Sequence, residues 1–218
     1  MDKKQALIFD FDGVIINTEA TEVEEWRKEV EKVGLVFEVK YYLETIGMNG
    51  PVIQYPARML ADRPGETRTF EQIMEEHTVR SIEAGLKLPL LPGVLELLDQ
   101  AEKKGLLLAI GSSSGYRWIS TLVNGLGLKE RFDTIVTFDD VEFAKPAPDI
   151  YLKVLENLGV EPENALVLED TYNGALAAKR AGIRVVAVPT QLTAHFDFDI
   201  AEEVLGSLAE LDLRKYFK

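Results

Sequence analysis

Two aspartates one residue apart, Asp10 and Asp12, close the apolar run Ala6-Leu7-Ile8-Phe9, and Gly13 follows them. Carboxylates held this close repel each other, so the pair needs a cation or a shared proton. That need makes it a candidate metal and catalytic centre. The same residues also read as a hairpin, because Asp-Gly between apolar stretches is a strong two-residue turn signal. Three more polar groups follow short apolar runs further on. They are Ser112 in Gly111-Ser112-Ser113-Ser114-Gly115, Lys145 in Ala144-Lys145-Pro146-Ala147-Pro148, and the neighbours Glu169-Asp170. Each has an ordinary explanation alone: a serine-rich loop capping a helix, a surface lysine near prolines, an aspartate capping a helix. In combination they offer carboxylates, a hydroxyl beside backbone amides, and an ammonium. Mg²⁺ prefers oxygen ligands and binds through one or two carboxylates plus phosphate oxygens. Asp10, Asp170 and a backbone carbonyl near Asp12 suit that shell, while Ser112 and Lys145 suit the remaining phosphate oxygens.

The elements that must position these groups follow from the patterning. Near-continuous apolarity before Asp10 reads as a strand buried on both faces, as in parallel sheets. From Leu88 onward helices and strands alternate strictly. Strands are predicted at Leu106–Ile110, Thr134–Phe138, Ala165–Leu168 and Arg184–Val188, and helices over 93–104, 118–126, 148–158 and along the small-residue stretch from Gly174 to Ala181. Ser207-Leu208-Ala209-Glu210 has capping-box spacing for a last short helix. Such alternation predicts an α/β fold, a Rossmann-like parallel sheet with helices on both faces. Ligands then bind beyond the carboxyl ends of the strands, where all four polar groups fall. Residues 16–87 break the alternation. Thr18 is positioned to cap a helix carrying Val23, Trp26, Val30 and Val33, and Thr69-Phe70-Glu71-Gln72 opens a second that ends near Gly85. No strand is read there, so the hairpin reading of Asp12-Gly13 falls. The expected organisation is a core of residues 1–15 and 88–218 with an all-helical cap, 16–87, inserted after the first strand.

Composition narrows the function classes. The 218 residues are 46% hydrophobic and 28% charged, with a formal net charge of −13. That charge disfavours nucleic acid and anionic membranes as partners, and it requires any bound phosphate to be held by a local cation or a metal. Without cysteine there are no disulfides, thiolate nucleophiles or zinc-thiolate sites. Met1-Asp2-Lys3-Lys4 leads directly into the first strand, so no signal peptide is expected, and no apolar stretch has membrane-spanning length. The cytoplasm and a monomer are the default expectations.

Taken together, these motifs resemble the haloacid dehalogenase superfamily, in its helical-cap phosphatase and β-phosphoglucomutase-like branch. The resemblance rests on Asp10-Phe11-Asp12-Gly13-Val14, Gly111-Ser112-Ser113, Lys145-Pro146-Ala147-Pro148 and Glu169-Asp170-Thr171, with Asn173-Gly174 and Ala181-Gly182 after it. It implies that Asp10 is a nucleophile forming an aspartyl-phosphate and Asp12 the general acid/base. It further implies that Ser112, the Ser113 amide and Lys145 bind the phosphoryl group. Mg²⁺ would be held by Asp10, the Asp12 carbonyl, Asp170 and Glu169. Dehalogenase chemistry needs neither Asp12 nor the metal carboxylates, so phosphoryl transfer is favoured. The substrate implied is a small phosphorylated metabolite.

Within that branch the mutases use a cap histidine, aligned here with Glu22, and a cap-loop arginine where this chain has Gly47-Met48-Asn49-Gly50. Gly115 replaces a lysine near the second motif. These departures favour hydrolysis over mutase turnover, with Arg58, Arg80 and Arg117 as the cations that could still grip a second phosphate. A non-catalytic phospho-ligand sensor is a more distant alternative, disfavoured by the retained Asp12. His77, His195, Trp26 and Trp118 read as packing or surface residues, and Glu22, Glu24, Glu25 and Glu29 as a solvated acidic face, with Glu19 and Glu22 placed to overlook the cleft.

Overall fold

A computed structural model of the chain describes residues 4–40 and 54–217. Its centre is a six-stranded sheet, every neighbouring pair parallel. The strands are β1 (Ala6–Phe9), β2 (Leu107–Gly111), β3 (Thr134–Val136), β4 (Ala165–Glu169), β5 (Arg184–Ala187) and β6 (Glu203–Val204), in the order β3-β2-β1-β4-β5-β6. The chain runs outward from β1 in both directions, so β1 is the topological switch point where such sheets bind ligands. Pairing of Phe9 with both Ile110 and Leu168 brings Asp10, Gly111 and Glu169 level across three strand ends. The Asp10 amide continues the ladder by donating to Leu168 O at 2.9 Å.

Alternate side chains of these strands enter two separate cores, as a period of two requires. Leu7, Phe9, Leu166 and Leu168 face α4 (Val94–Lys103) and α5 (Tyr116–Gly125). Ala6, Ile8, Ala165 and Val167 face α6 (Asp149–Leu158) and α7 (Tyr172–Arg180). Helices therefore cover both faces, as the alternation predicts. Between β1 and α4 the described residues form helices only: α1 (Thr18–Lys32), α2 (Tyr55–Ala61) and α3 (Phe70–Gly85). They share a core of their own, built on Val23, Trp26, Val30, Leu60 and Ile73. The Thr69 capping box forms as read, its hydroxyl accepting from the Gln72 amide while Gln72 Oε1 accepts from the Thr69 amide.

Several expectations are corrected. Thr18 lies inside α1 rather than capping it; Asn17 holds the N-cap position and makes no side-chain cap bond. The third strand stops at Val136, because Thr137 caps a 3₁₀ turn over Phe138–Asp140 with Asp140 bonding back. A sixth strand, Glu203–Val204, was not expected; two residues are too short to carry an alternating pattern. Ser207 caps only a 3₁₀ turn, Leu208–Glu210. His77 is buried and stacks on Trp26 with ring centroids 3.6 Å apart. The loop Gly47-Met48-Asn49-Gly50 lies outside the described residues.

Candidate active site

At the carboxyl edge of the sheet, Asp10, Glu169 and Asp170 each offer an oxygen, and these oxygens lie within 4.8 Å of one another. Lys145 is the cation among them. The segment between β3 and α6 delivers it, and although it is only 4% exposed its three protons are all used. Its Nζ donates to Asp10 Oδ1 at 2.9 Å, to Gly111 O at 2.8 Å and to Glu169 Oε1 at 2.7 Å. Burial alone would lower the Lys145 pKa, but Asp10 and Glu169 outweigh it and hold it above the ordinary value. The surface-lysine reading is thereby excluded.

Glu169 is fully buried, and both its oxygens are saturated. Oε1 accepts from Lys145 and, at 2.7 Å, from the Tyr151 hydroxyl. Oε2 accepts from the Asp170 amide, the Thr171 amide and the Thr171 hydroxyl at 3.1–3.2 Å. Thr171 in turn caps α7 by accepting from the Gly174 amide. Burial first and Glu169 second push the Tyr151 phenol well above its usual pKa, so it stays a donor. A Cβ on Gly111 would lie 3.1 Å from the Tyr151 ring, a close approach that glycine eases. Tyr151 reads in the sequence as one more apolar position of a helix, and its hydroxyl role left no pattern there.

The oxygens still open belong to the two aspartates. Asp170 Oδ2 accepts weakly from Thr193 Oγ1 at 3.3 Å, while its Oδ1 is buried with no hydrogen-bond partner. Burial and then the charges of Glu19, Glu169 and Asp10 push Asp170 well above the carboxylate range. Asp10 is pushed to about 8 by burial and then Glu169, against the pull of Lys145. With all three carboxylates ionised, one ammonium would leave two negative charges uncompensated, which one divalent cation would balance and which protons balance without it. Hard oxygen donors and an orphaned buried carboxylate oxygen fit Mg²⁺. Gly13, at φ +81°, allows this approach, since a Cβ there would sit 2.2 Å from Asp170 Oδ2.

Asp12 stands apart from the cluster, and its carboxylate is not among the grouped ligand atoms. The loop turns it toward α1 and α5. Oδ1 accepts from Thr18 Oγ1 at 2.5 Å and from the Trp118 indole Nε1 at 2.9 Å; Oδ2 accepts from Ser114 Oγ at 2.6 Å. Burial raises its pKa against the lowering effect of those bonds. Trp118 is therefore more than packing, Ser114 joins the site without having been singled out in the sequence, and Thr18, read there only as a helix cap, bonds Asp12 instead. Ser112 is buried; its amide donates to Val136 O and its hydroxyl accepts from the Ser114 amide at 3.0 Å, leaving the hydroxyl proton to donate. Ser113 is the next residue of the same turn. Glu19 is buried, its Oε2 without a hydrogen-bond partner, and burial, Asp12 and Asp10 raise its pKa well above normal.

Comparison with known proteins places the chain in a family. A sequence model of the haloacid dehalogenase-like hydrolases matches residues 7–188. The protein YhcW of Bacillus subtilis (strain 168) is 36% identical over 209 residues, covering 96% of this chain and 94% of its own. The phosphorylated carbohydrates phosphatase of Thermotoga maritima is 35% identical over 182 residues, covering 82% of each chain. Among solved structures, a mutant CbbY from Rhodobacter sphaeroides in complex with xylulose-(1,5)bisphosphate superposes with a TM-score of 0.83 at 28% identity. The match covers 99% of this chain and 100% of that one. The chain belongs to the family of haloacid dehalogenase-like hydrolases.

Proposed function

We propose that the protein is a Mg²⁺-dependent phosphatase that hydrolyses a small phosphomonoester, a sugar or polyol phosphate, through an aspartyl-phosphate on Asp10. The observation that carries this reading is the separation of the two loop carboxylates. Asp10 lies in the charged cluster beside Lys145, whereas Asp12 is turned out of it onto hydroxyls and an indole. Two carboxylates in different environments can divide nucleophilic from acid/base work. In the first step an Asp10 oxygen attacks phosphorus, the bond to the leaving oxygen breaks, and Asp12 gives that oxygen its proton. In the second step water attacks phosphorus, Asp12 takes the water's proton, and the Asp10–phosphorus bond breaks. Lys145 and the Ser112 hydroxyl bind the phosphoryl oxygens with the Ser113 amide, so charge is stabilised where the transition state spreads it. Asp10, Asp170 and the Asp12 carbonyl would hold Mg²⁺, which supplies Lewis-acid stabilisation of the phosphoryl oxygens. Glu169, already saturated, fixes Lys145 and the α7 end around them.

Residues 16–87 serve as a cap over the core of 1–15 and 88–218. Arg117 of α5 pairs with Glu75 of α3 through two bonds of 2.7 and 2.8 Å, which joins the two parts near the site. The three arginines available for a second phosphate are engaged elsewhere. Arg80 pairs with Glu29, Arg117 with Glu75, and Arg58 lies 4.9 Å over the Phe70 ring. This favours a monophosphate and hydrolysis over mutase turnover. The test is Asp10→Asn assayed on p-nitrophenyl phosphate with Mg²⁺, with a loss of about 10³-fold or more expected for removal of the nucleophile. Equal turnover by the variant sinks the mechanism. Glucose 6-phosphate formed from a β-hexose 1-phosphate and a bisphosphate primer would instead favour the mutase reading.

A further inference from the structure

Three donors hold the Asp12 carboxylate, and they are not chemically equivalent. Thr18 and Ser114 hydroxyls can each donate or accept, but an indole N–H only donates. With Trp118 Nε1 and Thr18 Oγ1 both on Oδ1, that oxygen's two lone pairs are occupied. Oδ2 has one contact, Ser114 Oγ, and Ser114 can reverse its role when a proton sits on Oδ2. Resting on the assignment of Asp12 as acid/base, we infer that Trp118 is a positioning residue: its indole N–H locks Oδ1 as the acceptor edge, so that Oδ2 exchanges the proton with the leaving oxygen and with water. Trp118 can hold this orientation because its ring packs, half-buried, against the core under α5. It acts through Asp12.

The inference has a signature that a merely structural role lacks. General-acid help matters more as the leaving group becomes more basic, and it contributes about 10²–10⁴-fold where needed. Trp118→Phe keeps the ring packing and removes the N–H. kcat/KM, which reports the steps up to leaving-group departure, is measured for wild type and variant on p-nitrophenyl, phenyl and benzyl phosphate. The expected penalty grows along that series, from under about threefold to about tenfold or more. A uniform penalty across the three esters, or none, overturns the inference. Thermal unfolding of the variant accompanies the assay, and a Tm loss with a uniform penalty identifies a packing role. Asp12→Asn separates the two levels of the argument. If its penalty grows along the series while that of Trp118→Phe does not, only the role of Trp118 fails. If neither grows, the acid/base assignment of Asp12 fails with it.

Discussion

Replacing Lys145 by methionine keeps most of the side-chain volume and removes the one cation from the buried cluster. Three contacts disappear at once, to Asp10, Glu169 and the Gly111 carbonyl, at 2.9, 2.7 and 2.8 Å. Glu169 suffers most, being wholly buried with Tyr151 then its only partner on Oε1. Deleting one member of a buried ion pair costs about 3–5 kcal/mol, since the charge left behind is uncompensated. For a chain of this length each kcal/mol moves Tm by about 2–4 °C, so a loss of about 6–20 °C is expected in EDTA. The cost does not need discounting for solvent screening, because Lys145 is 4% exposed. Calorimetry or dichroism at pH 8 reads the stability, and p-nitrophenyl phosphate with Mg²⁺ reads the activity, expected to fall about 10²–10³-fold as one electrostatic donor is lost. A Tm within about 2 °C of wild type would show that the cluster does not depend on this charge, refuting the electrostatic account of the site.

Two other outcomes follow from the same cluster. Because a cation answers the carboxylate crowding, Mg²⁺ at a hundred times its Kd should stabilise the fold by about 2.7 kcal/mol, raising Tm by about 5–10 °C relative to EDTA. In EDTA stability should also fall as pH rises from about 4 to about 8: Asp10 is raised from 3.8 to about 8 in the fold, so the folded state binds the extra proton in that window. A pH-independent Tm in EDTA, or one that ignores Mg²⁺, would count against the site. Gly174→Ala should destabilise, although alanine is favoured over glycine in helices by up to about 1 kcal/mol, because its Cβ would lie 1.7 Å from Glu169 Oε1. Urea unfolding of the variant measures the sign.

What the sequence makes legible here is the part fixed by backbone register. Buried parallel strands appear as continuous apolar runs, so Asp10, Ser112 and Glu169-Asp170 can be placed at strand ends before any coordinates. The parallel order then puts them on one edge. Side-chain direction is not written in the same way. Asp12 follows Asp10 by two residues, yet it leaves the carboxylate cluster because the Gly13 loop aims it at Thr18 and α5. Tyr151 and Trp118 occupy positions whose spacing is explained by packing alone. In each, an apolar ring satisfies the helix pattern and hides a polar end that works elsewhere. Glu169 falls with Asp10 and Asp170 as the strand ends imply, but the sequence does not show that its oxygens also accept from five donors.

Helix α5 ties the two carboxylates' surroundings to the helical layer above them. Its Trp118 and the preceding Ser114 hold Asp12, while Arg117, adjacent to Trp118 in the chain, grips Glu75 of α3. Thr18, the third donor to Asp12, sits at the first turn of α1. Asp12 is therefore held jointly by α5, with its preceding turn, and by α1, whereas among the described residues Asp10 bonds to Lys145 and the strand ladder. A displacement of the helical layer would change the bonds of Asp12 and leave those of Asp10 intact. On the proposed mechanism, proton transfer by Asp12 rather than nucleophilic attack by Asp10 would be the step that depends on how the helices sit over the sheet.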